Sequence, residues 1–92
     1  DIAARLAREA KVEAERAIQE LQSAMAQDGE LLNPQERRLI ELQIGYLREA
    51  AREQDRERID VEMQQLAQTA NPFAERRMNK AIATALTGTH VD

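Results

Sequence analysis

The sequence predicts an all-α protein: an antiparallel helical bundle of four helices with a long, overhanging first helix. Three observations lead there. Apolar residues make up 42% of the 92 residues, but they are carried by Ala, Leu, Ile and Met, with Tyr46 and Phe73 as the only aromatics and no Trp. That palette favours helices over sheets. The apolar residues recur at three- and four-residue intervals, which at about 100° per residue collects them on one helical face. Between the recurring stretches stand residues with the chemistry of helix ends. A chain this short supports one domain with one economical core, so we read residues 1–92 as a single helical domain.

The first helix is expected over about 2–27, with Ala3, Leu6, Ala7, Ala10, Ala14, Ala17, Ile18, Leu21, Ala24 and Met25 on its inward face. Asp28-Gly29 supplies its stop, since glycine can take the left-handed conformation just past a helix end. Leu31 and Leu32 follow in a short connection. The clearest local signal is Asn33-Pro34-Gln35-Glu36: Asn33 can cap, Pro34 suits the first helical position, and Glu36 can reach back to complete a capping box. The second helix, about 34–52, carries two apolar rows, Leu39, Leu42, Tyr46 and Ala50 on one side and Ile40, Ile44, Leu47 and Ala51 on the other. A helix with two such rows is expected to touch two neighbours. Gln43 lies between the rows. Gly45 sits mid-helix, about 1 kcal/mol worse than alanine there, either facing solvent or marking close packing.

Asp55 is the expected cap of a third helix, about 56–70, whose inward stripe is Ile59, Met63, Leu66 and Ala70, with Val61 off it. Asn71-Pro72 repeats the earlier start signal. A fourth helix, about 72–86, is therefore expected, with Ala74, Met78, Ala81, Ile82, Ala85 and Leu86 facing inward, Gly88 closing it, and a frayed tail at 87–92. Short connections favour antiparallel neighbours. At 1.5 Å per residue the first helix would be about 39 Å long and the last two only about 23 Å each. Its N-terminal half should therefore overhang, leaving Ile2, Ala3, Leu6 and Ala10 as an apolar docking or self-association face. Val12 projects opposite that stripe and is either an ordinary exposed residue or an outlying part of the same surface.

Charged residues reach 33% with both signs interspersed, and the formal net charge is −4. That balance argues against nucleic acid, which calls for a basic stripe. No cysteine is present, so disulfides and thiolate metal sites are excluded. No apolar run approaches the roughly 18 residues of a membrane span; a cytoplasmic setting is the expectation. The chain opens on Asp1 with the helical pattern already running, which reads as a piece cut from a longer protein. No Gly-rich phosphate loop, zinc spacing or Ser-His-Asp order occurs, and no Glu-x-x-His repeat suggests a di-metal bundle. His90, the single imidazole, lies in the tail. No catalytic, metal or cofactor site is therefore expected. The Arg37-Arg38 and Arg76-Arg77 pairs read as solvated faces with local Glu neighbours rather than phosphate sites, and Met25, Met63 and Met78 as core filler.

Several stretches resemble the C-terminal helical lid of DnaK-type chaperones, and most closely the HscA branch, which serves iron-sulfur cluster assembly. They are Val12-Glu13-Ala14-Glu15-Arg16, then Leu21-Gln22, Leu31-Leu32 ahead of the capped Glu36-Arg37, Phe73-Ala74-Glu75-Arg76-Arg77-Met78, and Ala85-Leu86-Thr87-Gly88 with Val91-Asp92. Met63-Gln64-Gln65-Leu66-Ala67-Gln68 is similar to the DnaK branch at the same place. The resemblance implies a lid without an active site of its own, preceded by an ATPase that holds ATP and by a β-sandwich peptide-binding subdomain on which the lid closes. It also implies, as partners of the parent protein, an iron-sulfur scaffold protein bearing a Leu-Pro-Pro-Val-Lys-like segment and a J-domain cochaperone. In isolation, the first-helix face would be free to pair two copies into a homodimer. The competing reading from the residues is a free-standing helical adaptor or coiled-coil interaction module, whose overhang pairs with a partner helix.

Overall fold

Helix-end chemistry and apolar spacing together produce three α-helices among the described residues, 1–88, of the computed structural model. They are α1 (Ile2–Gln27), α2 (Pro34–Glu53) and α3 (Arg56–Gly88), with a 3-10 turn (Gly29–Leu31) between the first two. Contacts fix the directions. Gln43 of α2 meets Glu62 of α3, and Glu36 meets Arg76, so α2 and α3 are antiparallel. Asp28 at the end of α1 meets Arg77 and Lys80 well along α3, so α1 and α3 run in the same direction. The assembly measures 62 × 29 × 18 Å.

Asn33 starts α2 as its sequence suggests. Its Oδ1 accepts from the Glu36 N–H at 2.7 Å while Glu36 Oε1 accepts from the Asn33 N–H at 3.0 Å, and Pro34 occupies the first turn. Asp55 caps α3, accepting from the Arg58 N–H at 3.2 Å. Asp1 caps α1, accepting from the Ala4 N–H at 2.8 Å.

The second Asn-Pro behaves otherwise, and the expected four-helix bundle is corrected to three. Helix α3 passes straight through Pro72. Asn71 does not cap; its side-chain amide donates to Glu75 Oε1 at 3.2 Å, one helical turn ahead. The reason is tertiary. Ile59, Leu66 and Phe73 are all buried, with Met63 and Ala70 packed against the core between them. Restarting the helix at residue 72 would rotate Phe73 off that row. Interior proline costs about 3 kcal/mol, and burying a phenylalanine returns about 1.5–3 kcal/mol; the ion pairs beyond it, described below, hold the remaining turns.

One consequence falls on α2. Ile40, Ile44, Leu47, Ala50 and Ala51 are buried against α1 and α3, but Leu39, Leu42 and Tyr46 are exposed. With α3 unbroken, no fourth helix covers that second row. Gly45 faces open space, with nothing within 4 Å of where a Cβ would stand. Gln43, between the rows, joins α2 to α3 by donating to the Glu62 carbonyl at 3.1 Å and to its Oε1 at 2.7 Å.

The stop of α1 also differs from expectation. No described glycine has a positive φ. Asp28 ends the helix instead, its N–H still bonded to the Ala24 carbonyl at 2.9 Å, and the backbone tightens into the 3-10 turn. At Gly29 a Cβ would meet only the end of the flexible Arg37 side chain, at 2.6 Å.

The left-handed position falls at the end of α2, on Gln54, with φ 54°. A side chain with a Cβ pays roughly 1–2 kcal/mol for that conformation. Gln54→Gly should therefore raise the thermal midpoint by about 4–8 °C for each 1 kcal/mol relieved in a domain of this size. A lowered midpoint in calorimetry would contradict the assignment.

The overhang is redistributed as well. At its N-terminal end α1 exposes Ile2 and Ala3, while Leu6 and Ala10 are half-buried. The longer projection is the C-terminal end of α3. Ala74, Met78, Ala81, Ile82, Ala85 and Leu86, expected inward, are all exposed, because α1 and α2 have already turned back at Gly29–Leu31. Met78 is accordingly not core filler, whereas Met25 is buried and Met63 half-buried. Of the expected tail, residues 87 and 88 are helical; His90, Val91 and Asp92 lie outside the described residues. Among the described residues no helix is long and apolar enough to cross a membrane.

Candidate docking surfaces and a charged clasp

The face expected on the first helix is divided by the structure. Leu6 and Ala10 line an open groove with Ile59 and Met63 of α3, rimmed by Glu9, Glu13, Arg56, Asp60 and Gln64. Ile2 and Ala3 continue the same side of α1 beyond that groove, where Ile2 is 69% exposed. Val12 is not brought to it. It stands exposed on another side of α1 and lines no part of the groove. Among the described residues no group of three His, Cys, Asp or Glu side chains is placed to hold a metal ion.

A feature that sequence reading did not find is a charged clasp at the α1–α2 connection. Asp28 is the one buried charged residue among those described, 7% exposed. Its carboxylate accepts from Lys80 Nζ at 2.6 Å and from Arg77 Nε at 2.7 Å. Lys80 also reaches Glu30 at 2.8 Å. Arg76 binds Glu36 through two parallel N–H···O bonds at 2.7 and 2.8 Å and donates to the Leu31 carbonyl at 2.9 Å. The Arg76-Arg77 pair is therefore neither a phosphate site nor a solvated face with local Glu neighbours. Its partners lie 40 or more residues away. Glu36 thus serves twice, as the capping-box acceptor of α2 and as the anchor for α3. Forked guanidinium-carboxylate geometry is among the stronger polar contacts available to a protein.

The electrostatics follow from those contacts. Hydrogen bonding from Arg76, aided by the Asn33 backbone N–H, pulls the Glu36 carboxyl from 4.5 down to about 2. Lys80 and then Arg77 lower Asp28, and Lys80 lowers Glu30. Lys80 is raised in return by Asp28 and Glu30. A carboxyl whose folded pKa is depressed contributes stability that is present above its unfolded value and lost as pH falls through the folded one. For Glu36 that window runs from 4.5 down to about 2. Arg76→Gln should therefore melt several degrees below the parent chain at neutral pH, with the two curves converging as pH approaches 2. Circular dichroism melts across that range test this; curves that stay parallel throughout would show that the pair contributes nothing.

No family model matches the chain, and no solved structure matches it. Curated proteins do. The chain is 45% identical over all 92 of its residues to a chaperone protein HscA homolog of Burkholderia multivorans. Similar proteins of the same name from Burkholderia thailandensis and Burkholderia orbicola are each 42% identical, again over the whole chain. In all three the aligned segment is 15% of the relative's own length. Identity of 42–45% over all 92 residues of the chain is beyond what a shared helical composition produces, so the chain belongs to the HscA-type chaperones, as the counterpart of one segment of them.

Proposed function

We propose that the chain is the C-terminal lid subdomain of the substrate-binding domain of an ATP-dependent HscA-type chaperone, closing over a bound client peptide during iron-sulfur cluster assembly. The observation that carries this reading is the whole-chain similarity to HscA homologs, joined to an all-helical body that leaves apolar residues uncovered at the start of α1. In this reading the preceding β-sandwich of the parent docks on Ile2, Ala3, Leu6 and Ala10, and the rest of the bundle is the rigid head. Val12 belongs to that contact only if the sandwich also wraps the other side of α1. ATP is bound by the parent's ATPase domain. The scaffold protein and a J-domain cochaperone engage the parent, and the setting is the cytoplasm.

A lid acts on escape more than on entry. Client peptide should therefore dissociate faster, in the ADP state, from a parent chaperone lacking the segment equivalent to residues 1–92 than from the intact parent. Fluorescence-anisotropy chase of a labelled peptide measures this. Equal off-rates would remove the lid reading while leaving the family membership untouched.

A further inference from the structure

The exposed side of α2 carries an apolar row and a glycine that the fold itself does not require. Leu39, Leu42 and Tyr46 are 52%, 53% and 47% exposed. Gly45 lies beside Leu42 on the solvent side, about 100° or more round the helix from Leu39 and Tyr46, and a side chain there would meet nothing within 4 Å. An interior glycine weakens an exposed helix, and among the described residues no turn, positive φ or close neighbour calls for one here. Close approach of another backbone is the remaining physical use of a missing side chain.

The charges on the same side show what approaches. At about 100° per residue Arg38, Leu42, Gly45 and Glu49 share one narrow strip. Arg38 and Leu42 precede the midpoint of that strip, and Gly45 and Glu49 follow it at matching distances. A two-fold axis through the midpoint sets Leu42 of one copy into the hollow over Gly45 of the other, and the reverse. It also sets Arg38 against Glu49 twice. Such reciprocity, in which residue i meets j and j meets i, is the requirement of an isologous pair. Among the described residues Arg38 has no ion pair, and the ion pair of Glu49 is an exposed one with its neighbour Arg52, with the Arg58 charge acting on it as well. Gln35 and Arg52 stand at the ends of the same strip.

We infer that the occupant of this surface is a second copy of the same chain, docked antiparallel α2 against α2 about an axis between Leu42 and Gly45. The contact is confined to one face of a 20-residue helix, which is less than a standard stable interface buries. The pair is accordingly weak and exchanging, and it is separate from the α1 face assigned to the lid.

Sedimentation equilibrium of the 92-residue chain, with circular dichroism to verify folding, tests it. The parent chain should self-associate at concentrations up to about 1 mM. Gly45→Gln fills the hollow with a good helix former. It should raise the thermal midpoint of the dilute monomer yet weaken association about tenfold or more. Arg38→Glu and Glu49→Arg should each be monomeric alone, because each then opposes like charges. Mixed in equal amounts, the two variants regain both opposite-charge contacts and should associate. A parent chain that stays monomeric throughout would overturn the proposal. So would association indifferent to Gly45→Gln, a mixture that fails to associate, or association abolished by Ile2→Glu on the α1 face with the α2 variants unaffected.

Discussion

Truncating Phe73 to alanine should destabilise the chain by about 3–5 kcal/mol, a large part of the roughly 5–15 kcal/mol that holds a typical domain together. Phe73 is 2% exposed and is the largest of the fully buried side chains. It is also the last residue of α3 that is buried; every later side chain of that helix is half-buried or exposed. Its loss opens a cavity and at the same time removes the apolar anchor that carries α3 past Pro72. Urea unfolding should show a lowered midpoint. Hydrogen exchange in the native state should show amides after residue 73 losing protection ahead of those in α1 and α2. A change below about 1 kcal/mol would mean that the ring is not packed as described.

Pro72→Ala should act in the opposite direction, stabilising by about 1–3 kcal/mol. Inside a helix proline withholds an N–H from the carbonyl four residues earlier, here Gln68, and crowds it. Alanine restores the bond and is the best helix former. Part of the gain is offset because proline also restricts the unfolded chain. The result separates two architectures. If a new helix began at residue 72, with Asn71 as its cap, proline would sit where its missing N–H is harmless, and replacing it would bring no gain. Pro34→Ala is the internal control: at the true start of α2 it should change stability little. Equal responses at the two prolines would return the bundle to four helices.

The two Asn-Pro pairs show how much of the fold is local. Both carry the same start signal. At Asn33 the preceding residues have already left α1 through the 3-10 turn, so the backbone is extended and free to cap. At Asn71 the preceding turns are committed to the core by Leu66 and Ala70, and Phe73 lies where the same row continues. Fixed spacing along the row outweighs the local signal. Phe73 passed unassigned in the reading of inward residues because a four-helix register placed Ala74 and Met78 there instead.

The same error spread to the surface. A fourth helix would have covered one row of α2; without it Leu39, Leu42 and Tyr46 are left to solvent. The N-terminal face of α1 was legible as apolar from its periodicity. How far α3 covers it, half-burying Leu6 and Ala10 but leaving Ile2 and Ala3, depends on where α3 starts alongside α1. The clasp was out of reach for a related reason. Arg76, Arg77 and Lys80 look like any solvated helix face until the bundle brings Asp28, Glu30 and Glu36 opposite them.

Taken alone, the amino-acid sequence determined the all-α class, the starts of α2 and α3, the buried rows of α1 and α2, and the likeness to HscA-type chaperones. Each of these rests on neighbours within a turn or two, or on the order of residues itself. Tertiary structure decided that α3 runs through Pro72, that one row of α2 stays exposed, and which carboxylates the clasp cations meet. Those outcomes are differences between distant contacts and local preferences of similar size, and the distant side of the balance exists only once the helices are packed.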